Sequence, residues 1–113
     1  MKIKEKIEDH VAVLTLSGKM MGGPETTQLH DYIRNLINDK ITKVVIDLGD
    51  VKWMNSSGMG VLMACMTTLK NAGGQLALAR VSEKVNSLLI ITQLIKVFDT
   101  FDTVDRAKAS LTD

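Results

Sequence analysis

Apolar and charged residues alternate from Lys2 to Ile7, with Ile3, Glu5 and Ile7 on one side and Lys2, Lys4 and Lys6 on the other. That period of two predicts a lysine-lined edge strand. Its natural partner is the β-rich run Val11–Leu16, joined antiparallel through Glu8-Asp9-His10 and ended by Ser17-Gly18. Gly22-Gly23-Pro24 then breaks the chain, and Pro24 suits the first position of a helix. Leu29, Ile33, Leu36 and Ile37 follow at helical spacing with Tyr32 beside them, which predicts a helix over 24–38. Val44–Leu48 is apolar except for Asp47, the pattern of a strand covered on both faces. A second helix is expected over 57–71, stopped by Gly73-Gly74, then a strand over 75–79. Ser82 is placed to cap a helix over 83–91 carrying Val85, Leu88 and Leu89. A last strand over 96–99 and a helix over 103–111, capped by Thr103 with Val104, Ala107 and Leu111 on one face, complete the series. The alternation predicts an α/β fold in one domain, 1–113: a mostly parallel sheet, an antiparallel edge strand and about four helices.

The chemistry concentrates where the strand at 44–48 hands over to the helix at 57–71, in Asn55-Ser56-Ser57-Gly58-Met59-Gly60. N–H groups at a helix start are unpaired and carry partial positive charge, so an anion is favoured there. Along the helix, Val61, Leu62, Cys65, Met66 and Leu69 share one face, expected to pack on the sheet. Gly60, Ala64, Thr67 and Asn71 lie opposite, with Met59, Met63 and Lys70 on the shoulder. A small-residue face flanked by methionines suits docking, while Met59 and Met63 serve equally as core-border residues. Trp53 and Met54 are expected to pack under the turn, and Met20-Met21 to lie near it, either in an exposed loop or between strand and helix.

Composition narrows the function classes. The formal net charge is +1 without a lysine or arginine cluster, which argues against a nucleic-acid or anionic-membrane surface. The single cysteine, Cys65, sits in the most apolar helical pattern and reads as an inert core thiol in a reduced, cytosolic protein. No apolar run reaches the length of a membrane span, and the start of the chain lacks a signal-peptide pattern. His10 and His30 are the only histidines and share no metal-ligand spacing, so no metal or cofactor is expected. Ser56-Ser57-Gly58-Met59-Gly60 is not a Gly-x-Ser-x-Gly nucleophile elbow, and no Gly-x-x-x-x-Gly-Lys motif is present. No catalytic residue is assigned.

Gly18, the strand Val44–Leu48, Asn55-Ser56-Ser57-Gly58-Met59-Gly60-Val61-Leu62, Gly73-Gly74-Gln75-Leu76 and Ile91-Thr92-Gln93-Leu94 together resemble the STAS family over nearly the whole chain. The resemblance implies a cytosolic anti-sigma factor antagonist that binds an anti-sigma serine kinase and is released when phosphorylated. A serine phosphatase then reverses the mark. Ser56 matches the phosphorylated serine and Ser57 the second serine of the motif. Asn55 and Met21 stand where family members often carry acidic residues. Read from the helix alone, Ser56 is a capping residue; with the motif around it, it is the modification site. Ser57 is expected to hydrogen-bond within the first turn. Gly58 and Gly60 are expected to bare the backbone to a partner or a neighbouring element. The partner surface thus comprises Asn55, Ser57, Gly58, Met59, Gly60, Met63, Ala64 and Thr67. The alternative is a non-phosphorylated accessory subunit docked on a membrane lipid-transport ATPase.

Overall fold

In the computed structural model, which describes residues 1–111, the chain runs β1 (Lys2–Glu8), β2 (Val11–Met20), α1 (Pro24–Asn38), β3 (Lys43–Met54), α2 (Ser56–Asn71), β4 (Gln75–Ala79), α3 (Glu83–Ile91), β5 (Asp99–Phe101) and α4 (Val104–Leu111). The last two residues of the expected domain lie outside the described ones. Strand order follows chain order; β1 pairs antiparallel with β2, and β2 to β5 are parallel. Each parallel crossover steps the sheet the same way, so right-handed connections put α1, α2 and α3 on one face. The edge hairpin closes through Asp9 and His10, both in the left-handed region with φ of 54° and 65°. Positive φ at both central residues gives the primed turn that matches strand twist.

Period-two alternation sorts the strands into two unequal layers. Ala12, Leu14, Leu16, Val44, Ile46, Leu48, Leu76 and Leu78 face the three helices and form the main core with Leu29, Ile33, Leu36, Leu62 and Leu69. On the other face Val11, Val13, Val45, Ala77 and Ala79 meet Ala107 and Leu111 of α4. Small side chains there let one short helix lie close to the sheet. The expected caps are in place: Ser82 Oγ accepts from the Val85 N–H at 3.2 Å and Thr103 Oγ1 from Arg106 N–H at 3.1 Å.

Two expectations are corrected. The strand placed at 96–99 is β5 at 99–101, and Leu94–Lys96 is a 3₁₀ turn entered through Gln93 at φ 64°. The apolar run that suggested a strand instead plugs the core, with Phe98 buried beneath the helices. Strands β2 and β3 also run well beyond Leu16 and Leu48, pairing as far as Met20 with Met54. Gly18, read as a strand end, lies inside β2 at φ 102°, beside a register shift. A glycine at positive φ absorbs the bulge that re-aims the ribbon.

Candidate functional site

The extended β2–β3 ribbon delivers the chain to the start of α2, and Asn55 fastens the two together. Its backbone N–H donates to the Met20 carbonyl at 3.3 Å, and its Nδ2 donates to the Met21 carbonyl at 3.3 Å. Its Oδ1 accepts from the Gly58 N–H at 2.8 Å, and its carbonyl accepts from the Met59 N–H at 3.0 Å. Asn55 is therefore the helix cap, which frees Ser56 from that role. A carboxylate at this position could accept from Gly58 but could not donate to Met21. The neutral amide thus suits this loop.

Ser56 is the first residue of α2, exposed, and among the described residues its hydroxyl makes no hydrogen bond. Ser57 makes none either, contrary to the bond expected of it; its Cβ instead packs against the backbone of Gly22, which sits at φ 84°. A side chain at Gly22 would overlap Ser57, so the loop before α1 wraps the start of α2 tightly. Of the paired methionines, Met20 is buried and Met21 is exposed.

The buried arc of α2 comprises Gly58, Met59, Leu62, Cys65, Met66 and Leu69. At 3.6 residues per turn this arc is turned about 25° from the one read off the sequence. Met59 belongs to the core rather than the shoulder, and Val61 is half-buried on the side facing α1 rather than beneath the sheet. Gly58 is buried because it lies over the Met20 carbonyl, with no room for a Cβ. Its bare backbone therefore serves a neighbouring element. Ser57, Gly60 and Thr67 are exposed, and Asn55, Met63 and Ala64 are half-buried. Ser56, Gly60, Met63 and Thr67 recur at helical spacing and line one outer strip that starts at the free hydroxyl.

Between α1 and α2 lies an open cleft of about 320 Å³, lined by Thr27, His30, Arg34, Ser57, Gly60 and Ala64 among others. His30 Nε2 shares a 2.6 Å hydrogen bond with Thr68 Oγ1. Burial lowers the His30 pKa below 6.5, the nearby Arg34 charge lowers it further, and Asp31 opposes both. The fold thus prefers neutral imidazole. Stability from this group is full above pH 6.5 and is lost as pH falls through the lowered value, because the unfolded chain takes up the proton first. In an NMR titration His30 is expected to have a midpoint below 6.5, and His30→Gln to flatten this part of the stability profile.

Trp53 is not packed under the turn. It is 46% exposed, and the Lys84 ammonium stands 5.1 Å from its ring centroid. The sequence reading missed this place, since only the fold brings α3 beside the end of β3. The Cys65 thiol is buried and its pKa is pushed up to about 12, so it is unreactive as expected. Among the described residues no three His, Cys, Asp or Glu side chains converge as metal ligands. No helix among them is long and apolar enough to cross a membrane.

Set beside known proteins, residues 2–107 match the family described as STAS domain. An anti-sigma F factor antagonist from Paenibacillus polymyxa is 25% identical over 118 residues, covering 98% of this chain and 97% of that protein. A Thermotoga maritima protein, whose name assigns the anti-sigma factor antagonist role provisionally, is 30% identical over 71 residues, and the match spans 63% of each chain. Among solved structures, an anti-sigma factor antagonist from Mycobacterium paratuberculosis has a TM-score of 0.83 at 25% identity, covering 99% of this chain and 94% of that one. The Bacillus cell fate determinant SpoIIAA in its phosphorylated form has a TM-score of 0.76 at 18% identity, covering 98% and 100%, a likeness of fold alone.

Proposed function

The chain belongs to the STAS domain family, and from that premise we propose that it is a cytosolic anti-sigma factor antagonist switched by phosphorylation of Ser56. The domain, 1–113, binds an anti-sigma serine kinase when unmodified, is released when that kinase phosphorylates it, and is restored by a serine phosphatase. One observation carries the reading: a free, exposed hydroxyl at the first position of α2, on a helix already capped by Asn55. Anti-sigma factor antagonists of this family are non-enzymatic regulators, and the similarity to the Paenibacillus polymyxa protein supports the assignment.

A phosphoserine at Ser56 would add roughly −1.5 to −2 charge near neutral pH. The helix dipole and the first-turn N–H groups favour that charge, so the fold should survive it. A partner lying over Ser56, Gly60, Met63 and Thr67 would instead have to bury a dianion, and the complex should part.

Incubation with the cognate kinase and ATP is expected to add one phosphate, at Ser56 by mass spectrometry. Ser56→Ala should abolish the mark and keep tight kinase binding, and Ser56→Asp should weaken binding about tenfold or more, a carboxylate carrying less charge than a phosphate. Because Asn55 is the cap, both variants should keep their stability within about 0.5 kcal/mol. A phosphate found elsewhere overturns the proposal. Co-purification with a transport ATPase in place of a kinase does so too, and would favour the accessory-subunit role.

A further inference from the structure

We infer that the groove walled by Trp53, Met54, Leu88 and Ile91 is the apolar anchor point of the interface that covers Ser56, receiving from the anti-sigma partner an apolar side chain flanked by a carboxylate that pairs with Lys84. This rests on the Ser56 reading above and adds where the partner grips and what chemistry it presents there.

Folding does not account for the groove. Ile91 is 78% exposed, Ile90 beside it 55%, and Trp53 is the only tryptophan of the chain. Full burial of an isoleucine side chain is worth about 1.5–3 kcal/mol, most of which Ile91 forgoes in the free protein. Tryptophan is enriched among the few residues that carry most of the binding energy at protein interfaces, where they cluster at desolvated pockets. The recess measures about 350 Å³, room for a leucine- or phenylalanine-sized group.

Position ties the groove to Ser56. Met54 lies two residues before Ser56, so their Cα atoms are at most about 7 Å apart. A standard interface covers about 800 Å² on each partner, a disc about 16 Å in radius. Centred on Ser56, such a disc reaches past Met54, which forms one wall of the groove, and along the outer strip of α2.

Charge selects the occupant. Among the described residues Lys84 is the only charged one lining the groove, and it makes no ion pair with another of them. Its ammonium rests over the indole and can still donate to a carboxylate arriving from outside. Two copies of this chain packed groove to groove would bring two lysines together, and among the described residues no acid lines the groove. A separate, acid-bearing partner fits better.

The test titrates the full chain against each purified serine-kinase anti-sigma factor of the source organism, with Trp53 carrying a 5-fluoro label. Ile91→Asp and Lys84→Glu, both at exposed positions, are each expected to weaken binding about tenfold or more while leaving thermal unfolding unchanged. The effect of Ser56 phosphorylation, as a ratio of affinities, should persist in both. The single ¹⁹F resonance should move when the unlabelled kinase is added. If wild type binds and is released on phosphorylation, but the variants bind within twofold of it and the resonance stays put, the inference is overturned and the Ser56 reading stands. If wild type binds no kinase, both fall. Dimerisation of wild type that Ile91→Asp abolishes would assign the groove to a second copy and overturn the inference.

Discussion

Arg80→Ala is expected to lower the free energy of unfolding by about 2–3 kcal/mol at neutral pH, read from urea denaturation. The reason is Asp47, whose side chain is only 6% exposed. Its Oδ1 accepts from Arg80 Nε at 2.8 Å and from the Gly49 N–H at 3.0 Å, and its Oδ2 accepts from Arg80 Nη2 at 2.9 Å. Truncating Arg80 leaves a buried carboxylate with one donor. Losing one partner of a buried pair usually costs about 3–5 kcal/mol. The Arg80 side chain is 43% exposed, so water can reach part of the vacated space, which places the expected loss at the low end. Adding Asp47→Asn to Arg80→Ala should recover much of the loss, because the stranded charge goes with it. An unchanged midpoint in Arg80→Ala would show that the pair is already well solvated.

That pair also explains part of what the sequence could and could not disclose. Asp47 stood out in an otherwise apolar strand, but its partner lies 33 residues away and only the β3–β4 register brings the two together. Element types and order were legible because the strands alternate with period two and the helices carry apolar stripes at 3.6. The misplaced last strand has a physical origin: 96–99 carries Val97 and Phe98 and reads as a strand, yet a left-handed Gln93 and the 3₁₀ turn after it carry these two side chains into the core. Local pattern does not contain that reversal.

The site was legible in its location and less so in its division of labour. Asn55 and Ser56 are both good caps by residue type, and hydrogen bonding to the Met20 and Met21 carbonyls gives the role to Asn55. Ser17-Gly18 has the local pattern of a strand end, so the ribbon that aims the chain at α2 is not visible in the sequence. Trp53, just before the turn, is expected to pack under it and does not. Its exposure follows from the strand running past the sheet, where no helix covers it fully.

The two glycines at the start of α2 should respond to alanine with opposite signs. In an exposed helix interior, Gly→Ala ordinarily gains about 0.8–1.0 kcal/mol. Gly60 meets this condition, since a Cβ there would have nothing within 4 Å. Gly60→Ala should therefore stabilise the free protein, and any loss of kinase affinity in it would come from the partner's side of the surface. At Gly58 a Cβ would overlap the Met20 carbonyl oxygen, a backbone atom held in place by β2–β3 pairing. Accommodating it means shifting the first turn of α2 away from the ribbon, straining the Asn55 N–H bond to that carbonyl. Overpacking of this kind costs about 1–3 kcal/mol, which outweighs the helical gain. Gly58→Ala is thus expected to lower the thermal midpoint and, by displacing Ser56, to slow phosphorylation by the cognate kinase. If both variants gain stability, the turn has slack and Ser56 is not held in place by the Met20–Asn55–Gly58 contact.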